Sequence, residues 1–592
     1  MWQDIDLGSY VARKSPSMIV TIFVLWAVAL IYFGPPVWQL VTTGKTILET
    51  VVLSLYGGML IIFWLLASSY ISVVLFSLRT KPVPPAHNIG RGKQPTVAIL
   101  YPTCNDFNIE SAISCLIQDY PNFHLFILDD STKDEFHEEI EAFHTAHADV
   151  TTIIRRSTRE GFKAGNLNHG LRKISGMFPF FAIVDSDEKL PVDFLSRTVP
   201  YLQHSNLAFV QANHSPNKWQ ESAFARDIAP TILPFWHIHC RPRNRYGFVV
   251  FLGHGALVRR SAWEVVEGFP EVASEDLAFS IVLAENGMRG VFLQDLVCYE
   301  DFASSYTAFR KQQERYIVGT LQVMRKYLGS MLRSNKISLI EKLDIFLWCS
   351  PLCVPGLALL FIAVSTIGLP ILFGSWQTPE VMVMGREFYL PTIKVLDSRF
   401  SLLYPLDFQI FSVFCTLSPC FAAMFLGFKR RLPFVKVTTF STIAYLSLMV
   451  IAWTGSLGYL FSGRARFKPT GELEAPLNNN NNKKNNNYSY TANLGQGLPM
   501  KQPKVSRAIT AWEIVIGAGL AATSLICLNL AAFALSSCLV LGVGVRSLGW
   551  SNLLIRLGAV GCFTLIILQM VINIGLPSLS LGLSPLIFTV WW

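Results

Sequence analysis

The chain has 592 residues, 51% of them hydrophobic and only 15% charged, with a mean hydropathy of +0.39 and a formal net charge of +9. That is more apolar surface than one soluble core buries, so membrane spans plus a soluble domain are expected. The basic excess sits beside apolar runs rather than on an aromatic-studded soluble face, which argues against nucleic acid as a partner. The 11 cysteines form no CxxC pair or zinc-spaced His/Cys set and read as packing residues.

A bilayer core about 30 Å thick needs roughly 20 apolar helical residues. Runs of that kind lie near 18–38, 51–77, 345–372, 408–428, 437–463, 514–540 and 557–577. The first follows Arg13 and Lys14, lacks a small-residue cleavage site and precedes a second run, so it reads as a retained anchor. Arg79, Lys81, Arg91 and Lys93 follow the second run, which places both ends of this pair, and the stretch after it, in the cytosol. Lys429, Arg430 and Arg431 precede the run 437–463, and Arg464, Arg466 and Lys468 follow it. Basic clusters on both sides predict an interfacial or re-entrant helix, with a seventh span as the alternative. Residues 478–487 are Asn broken by Lys483 and Lys484, within a polar stretch to about 507 that predicts a disordered cytosolic loop.

The expected organisation is a membrane region over 1–92 with two transmembrane helices and a cytosolic domain over 93–330. Two further spans plus the interfacial helix follow over 331–463, then a cytosolic loop over 464–510 and about two spans over 511–592. The whole would be a multi-pass protein of a plasma or inner membrane.

Within 93–330, the runs 96–101, 124–129, 151–154 and 180–185 alternate with helical patterns, which predicts a mostly parallel, Rossmann-like α/β sheet. Ligands bind such sheets beyond the carboxyl ends of the strands. Three of these runs end in Thr103 and Asn105, in Asp129 and Asp130, and in Asp185 and Asp187, so polar chemistry collects at one edge.

Asp185-Ser186-Asp187 places two carboxylates on a tight turn, where oxygen ligands suit Mg²⁺ or Mn²⁺ and the cation in turn suits a diphosphate. Alone, such a triplet is an ordinary surface turn. Lys163 opens KAGNLNHGL at a helix start able to meet a phosphate, or else to be capped and solvated. Glu275-Asp276 precedes a helical apolar pattern, the usual place for a cap. Gln312-Gln313-Glu314-Arg315-Tyr316 lies in an amphipathic stretch that would pass for a solvated face at a membrane surface.

Order and spacing add more than any single motif. LDDS, KAGN, DSD, SED and QQERY, the last followed by Gly319 and Gln322, together resemble the motif series of processive family 2 glycosyltransferases, the group of cellulose, curdlan, mannan, chitin and hyaluronan synthases. The resemblance covers about 95–325 and the membrane layout around it. It implies a GT-A domain set between transmembrane helices. Thr103, Asp129 and Asp106 would contact the nucleoside, with Asp130, also on the substrate side, the second member of LDDS, where the family usually has a glycine after the pair. Lys163 would approach the diphosphate, Asp185 the nucleotide and Asp187 the metal. Asp276 would be the general base, with Glu275 its neighbouring alternative. Gln312, Gln313 and Arg315 would serve the QQxRW role, Arg315 stabilising the leaving diphosphate, and Tyr316 replaces the tryptophan that stacks on the acceptor sugar. His254 in FLGHG stands where relatives have an FxCGT-like loop near the acceptor. Phe467-Lys468-Pro469-Thr470 resembles the start of the gating motif FxVTxK, but Glu472 stands in place of its lysine.

The resemblance implies inverting transfer of a hexose, glucose from UDP-glucose first, into a β-linked polysaccharide that passes into the membrane domain. A non-processive transfer to a lipid acceptor is the nearest rival, and a transporter with a regulatory nucleotide-binding domain the remote one. Nucleotide sugar, growing polysaccharide or lipid acceptor, and membrane lipids are the expected partners, with no nucleic acid.

Overall fold

Continuous apolar runs become the interior strands of one sheet. In the computed structural model, β1 (Val97–Thr103), β2 (Phe123–Asp129), β3 (Thr151–Arg155) and β4 (Phe180–Ile183) are joined by β5 (Glu188–Lys189), β6 (Leu207–Pro216), β7 (Ala256–Arg259) and β8 (Arg289–Glu300). The order is β3-β2-β1-β4-β7-β6-β8-β5. The first four strands are mutually parallel, β7 runs antiparallel to β4 and β6, and β6 and β8 are parallel. The structure describes residues 14–86; 94–394 apart from breaks at 175, 203–206, 218–219, 221, 379, 384–385 and 390–391; 407, 408, 410 and 411; 444–463; 507–547 apart from 528; and part of 557–568. Most of the runs 408–428 and 557–577, the Asn-rich stretch and the Phe467–Thr470 motif lie outside the described residues.

Both faces of the parallel half are covered, which is why its strands are apolar without alternation. Ile99, Tyr101, Leu125 and Ile127 face one core with α3 (Ile109–Leu116), α4 (Asp134–Ala146) and α6 (Phe194–Leu202). Ala98, Leu100, Phe126 and Leu128 face the other, with α5 (Phe162–Lys173) and α7 (Glu275–Glu285). Each Ile, Leu or Phe among them removed from water contributes about 1.5–3 kcal/mol. The shared requirement fixes the register, and register fixes which residues arrive together at the carboxyl edge.

Among the described residues, four helices are long and apolar enough to cross a membrane: α1 (Ser17–Thr42), α2 (Ile47–Arg79), α9 (Leu339–Phe373) and Ala444–Ser462, whose regular part is α10 (Met449–Ser462). On α1, Val20, Val24, Val28 and Ile31 point outward at helical spacing, an apolar face suited to lipid. Between the sheet and α9 runs α8 (Tyr306–Arg333). The run 514–540 is not one helix. It divides into α11 (Arg507–Ile526) and α12 (Leu530–Ser547). Asn529 makes the turn: its amide donates to the Ser524 carbonyl at 2.8 Å, and its side-chain oxygen accepts from the Ala532 amide at 3.0 Å, capping α12. Gly517 lets the two helices lie close, since a Cβ there would fall 2.9 Å from the Leu539 Cβ.

The sheet domain and the first two membrane helices meet along residues 241–248. Lys14 donates to the carbonyls of Arg243 and Asn244 at 3.3 and 3.0 Å, and Arg241 reaches the Thr80 carbonyl at 2.7 Å. Arg243 in turn pairs with the buried Asp344 of α9 at 3.1 Å and lies over the Trp348 ring.

Candidate active site

Parallel register brings Thr103, Asp129 and Arg155 into one row at the carboxyl edge. Asp129 is fully buried and accepts from Arg155 at 2.7 Å, His137 at 3.0 Å and the Ser131 amide at 2.8 Å. Burial alone would raise its carboxyl, yet the Arg155 bond and the Ser131 amide hold it below the usual carboxylate range. Asp130 takes a two-pronged bond from Arg156 at 2.8 and 2.6 Å. Both carboxylates are therefore engaged by the protein's own cations, which fix the strand edge and the approach to α5. Thr103 donates to Asp106 at 2.8 Å, and Asp106 also meets the Ser186 side chain, which joins the β1 turn to the DSD turn.

The DSD turn begins two residues beyond β4. Lys163, in the first turn of α5, pairs with Asp185 at 2.6 Å and donates to the Gly253 carbonyl at 3.1 Å, linking the β4 turn to the loop before β7. Asp187 opens onto the cleft, and its carbonyl accepts from the Asp301 amide at 2.9 Å. Confinement in the cleft, and then the charge of Asp185, push the Asp187 carboxyl up to about 7. Asp187 thus has the Asp185 carboxylate near it, while Lys163 pairs with Asp185. A hard divalent cation with oxygen ligands fits that donor set.

Across the cleft, Glu275 and Asp276 start α7. Gly253 holds φ +87, and a Cβ there would project 3.5 Å from the Asp276 Cβ and 3.8 Å from the Lys163 ammonium. The positive φ favours glycine here, and the loop lies in contact range of both the acid and the cation. Loss of bulk water raises Asp276 above its ordinary range, opposed by the Leu277 amide and by the charges of Lys163 and Arg315. The same desolvation, with the Asp276 charge, pushes Glu275 up to about 7.

QQERY lies on α8, which packs against the SED turn. Gln322 accepts from the Ala273 amide at 2.9 Å, and Gly319 sits against Ser274. The Arg315 guanidinium lies 5.5 Å from the Tyr316 ring centre, and Tyr316 itself is 39% exposed. Gln312 and Gln313 are half-buried on the same helix, one turn before Tyr316. The structure thus brings Lys163, Asp185, Asp187, Glu275, Asp276 and Arg315 to one cleft, with Thr103 at the end of β1 beside it and Asp129 and Asp130 turned into the scaffold.

A profile described as "Glycosyl transferase family group 2" matches residues 180–459, which include the DSD, SED and QQERY motifs. Over these residues the chain is similar to family 2 glycosyltransferases of the cellulose synthase-like group. Among its relatives, the probable glucomannan 4-beta-mannosyltransferase 7 of Oryza sativa subsp. japonica is 28% identical over 274 residues, 43% of this chain and 45% of that protein. Glucomannan 4-beta-mannosyltransferase 7 of Arabidopsis thaliana is 27% identical over 329 residues, 52% of this chain and 57% of that protein. The chain spans about half the length of the curated relatives it matches. The solved mannosyltransferase PcManGT from Pyrobaculum calidifontis, in complex with GDP-Man and Mn²⁺, covers 67% of this chain and 99% of its own at 17% identity and a TM-score of 0.39.

Around this cleft, sequence reasoning missed Glu188, His214 and Glu300. Glu188 is wholly buried and accepts from His214 at 2.7 Å and from the Gly255 amide at 3.0 Å, with His254 at 3.4 Å. Burial would raise this carboxyl, but His254 and His214 hold it well below the usual range. Burial likewise opposes protonation of His254, yet Glu188 pushes its imidazole up to about 10. Glu300, at the end of β8, lies 4.0 Å from His254, and burial pushes its carboxyl up to about 7. Glu188, His214 and Cys298 converge within 4.8 Å, as do His214, His254 and Glu300, although no two of these residues lie at zinc spacing in sequence. Only Glu188, directly after Asp187, and Glu300, ending an apolar strand, carried a readable signal, the same acid-at-strand-end pattern that marks Asp129 and Asp185.

Proposed function

We propose that this protein is an inverting, processive transferase that builds a β-linked hexose polymer from a nucleoside-diphosphate sugar. The observation that carries the reading is the placement of the Asp276 carboxyl and the Lys163 ammonium together beside Gly253. One is a base with a raised pKa and the other a cation suited to a diphosphate. The acceptor hydroxyl oxygen bonds to the anomeric carbon as the bond from that carbon to the diphosphate oxygen breaks. Asp276 takes the hydroxyl proton, and the nucleoside diphosphate leaves on the opposite face. A base whose pKa lies nearer the working pH combines readiness to accept the proton with sufficient basicity.

Lys163 and Arg315 offset charge that develops on the leaving diphosphate, and they act in a cleft where water does not screen them fully. Asp187, with Asp185 beside it, would hold Mg²⁺ or Mn²⁺, which when bound supplies charge neutralisation at the diphosphate. Thr103 and Asp106 line the nucleoside side. Glu188 orients His254 toward the acceptor side, where Tyr316 offers an exposed ring for a sugar face. Asp129 and Asp130 serve by fixing the strand edge.

The relatives named as glucomannan 4-beta-mannosyltransferases favour a mannosyl donor over the glucosyl donor first expected. The four helices able to cross a membrane among the described residues support a multi-pass protein, and the basic Arg79 and Lys81 after the second of them support a cytosolic cleft, from which the polymer would enter the helix bundle as it grows. Purified protein incubated with GDP-mannose, UDP-glucose and UDP-N-acetylglucosamine, with Mg²⁺ or Mn²⁺, tests the reading. Long β-linked product from one donor is expected. A product of one sugar on a lipid would replace polymer synthesis by single transfer, and no transfer from any donor would overturn the reading.

A further inference from the structure

Two anchors flank QQERY on α8. After it, Gly319 and Gln322 hold the helix against the SED turn. Before it, Arg310 forms a buried ion pair with Glu513 of α11, the two side chains being 5% and 1% exposed. Arg310 also donates to the Ser447 carbonyl, just before α10, at 2.9 Å. Tyr306, one turn earlier on α8, hydrogen-bonds the Ser447 hydroxyl, and Gly542 of α12 leaves room for both, since a Cβ there would lie 2.8 Å from the Tyr306 hydroxyl and 2.6 Å from the Ser447 Cβ. Elements from three separate stretches of the chain thus converge on the first turns of α8.

Glu513 stands on an apolar helix, where an ionisable side chain is costly. A buried ion pair often gives no more stability than apolar residues of the same volume, because desolvation consumes the Coulombic gain. What such a pair supplies that packing does not is a fixed partner and a fixed register. Arg315 lies five positions after Arg310, about 7.5 Å along a helix axis. A shift at the first anchor therefore carries Arg315 and Tyr316 with it.

We propose that Arg310 and Glu513 are positioning residues that set the register of α8 against the apolar helices and so the placement of Arg315 and Tyr316 over the cleft. This inference rests on the transferase reading above. Neither residue touches the reacting atoms. The pair joins the motif helix to the helix that follows the polar stretch 464–506, so movement of α11 would be felt at QQERY.

Full-length protein in detergent decides the matter, with turnover per folded protein, donor KM and thermal midpoint measured together. Glu513→Gln keeps the shape and removes the charge. It is expected to lose at least tenfold in turnover while donor KM stays within twofold, and the swapped pair Arg310→Glu with Glu513→Arg is expected to regain most of the loss. Normal turnover of folded Glu513→Gln would overturn the proposal, as would a loss of turnover that follows the thermal midpoint with no recovery in the swap. Should Glu513→Gln not fold, Glu513→Asp keeps the charge with a shorter reach: reduced turnover at normal donor KM supports the proposal, and normal turnover overturns it. Asp276→Asn run beside them separates the two readings. An inactive Asp276→Asn with a fully active Glu513→Gln defeats only this inference, whereas full activity in both defeats the transferase mechanism beneath it.

Discussion

Gly319 stands so close to Ser274 that a Cβ on it would come within 3.0 Å of the serine hydroxyl oxygen. The helix bearing QQERY and the turn bearing SED therefore touch through a residue with no side chain. Overpacking of this kind typically costs 1–3 kcal/mol, or about that when the helix moves instead. Gly319→Ala is expected to lower turnover severalfold with donor KM little changed. Adding Ser274→Ala, which removes the clashing oxygen, is expected to recover part of it, and steady-state kinetics of the single and double variants checks this.

Asp276→Asn preserves shape and removes basicity. General-base catalysis contributes about 10² to 10⁴ in rate, so a loss of at least the lower figure is expected with donor binding retained. If Asp276 were only a helix cap, Asn would serve nearly as well and little would change. Polymer synthesis near the normal rate by a folded Asp276→Asn protein would sink the mechanism.

Asp187→Ala is expected to abolish turnover while leaving a folded, inserted protein, because the diphosphate then lacks charge neutralisation. Chelation of the wild type should have the same effect, reversed by adding back Mg²⁺ or Mn²⁺. Full activity in excess chelator would exclude the metal requirement.

Tyr316 offers an exposed ring beside Arg315. Tyr316→Ala is expected to shorten or abolish product with nucleotide affinity nearly unchanged, measured by product sizing and by nucleotide titration. A strong loss of nucleotide binding would move QQERY from the acceptor side to the donor side.

Glu275 carries its own pH signature. Its carboxyl in the fold is raised from 4.5 to about 7, so the folded state binds a proton that the unfolded chain has already released over that interval. The contribution is fully present below 4.5 and is lost as pH rises through about 7. The thermal midpoint of metal-free protein should therefore decline across that window, and less so in Glu275→Gln, which holds no titrating proton. Parallel declines in the two proteins would assign the effect elsewhere.

The fold was legible where local pattern and global packing agree. The runs at 96–101 and 124–129 are apolar because both sheet faces are covered, so they could be read without a partner. Lys163, Asp276 and Arg315 were legible only through their order along the chain, since each alone is an ordinary cap or solvated face. Long-range pairing was not legible. Nothing near Asp129 announces Arg155 as its partner, and the strand register alone creates that bond. The same holds for Glu188, His214 and His254, which three separate elements bring together, and for the Asn529 turn, hidden within an apolar run that length alone read as a single span.

Lys14 holds the carbonyls of Arg243 and Asn244 across 229 and 230 residues of chain. During synthesis α1 and α2 therefore leave the ribosome long before their docking partner. They pack on each other before the segment 241–248 arrives. Domains generally fold as units as the chain emerges. Here the order of emergence makes the membrane helices the template on which the sheet domain settles, so a lesion at Lys14 or Arg241 would appear first as misassembly of newly made protein and only second as lost turnover.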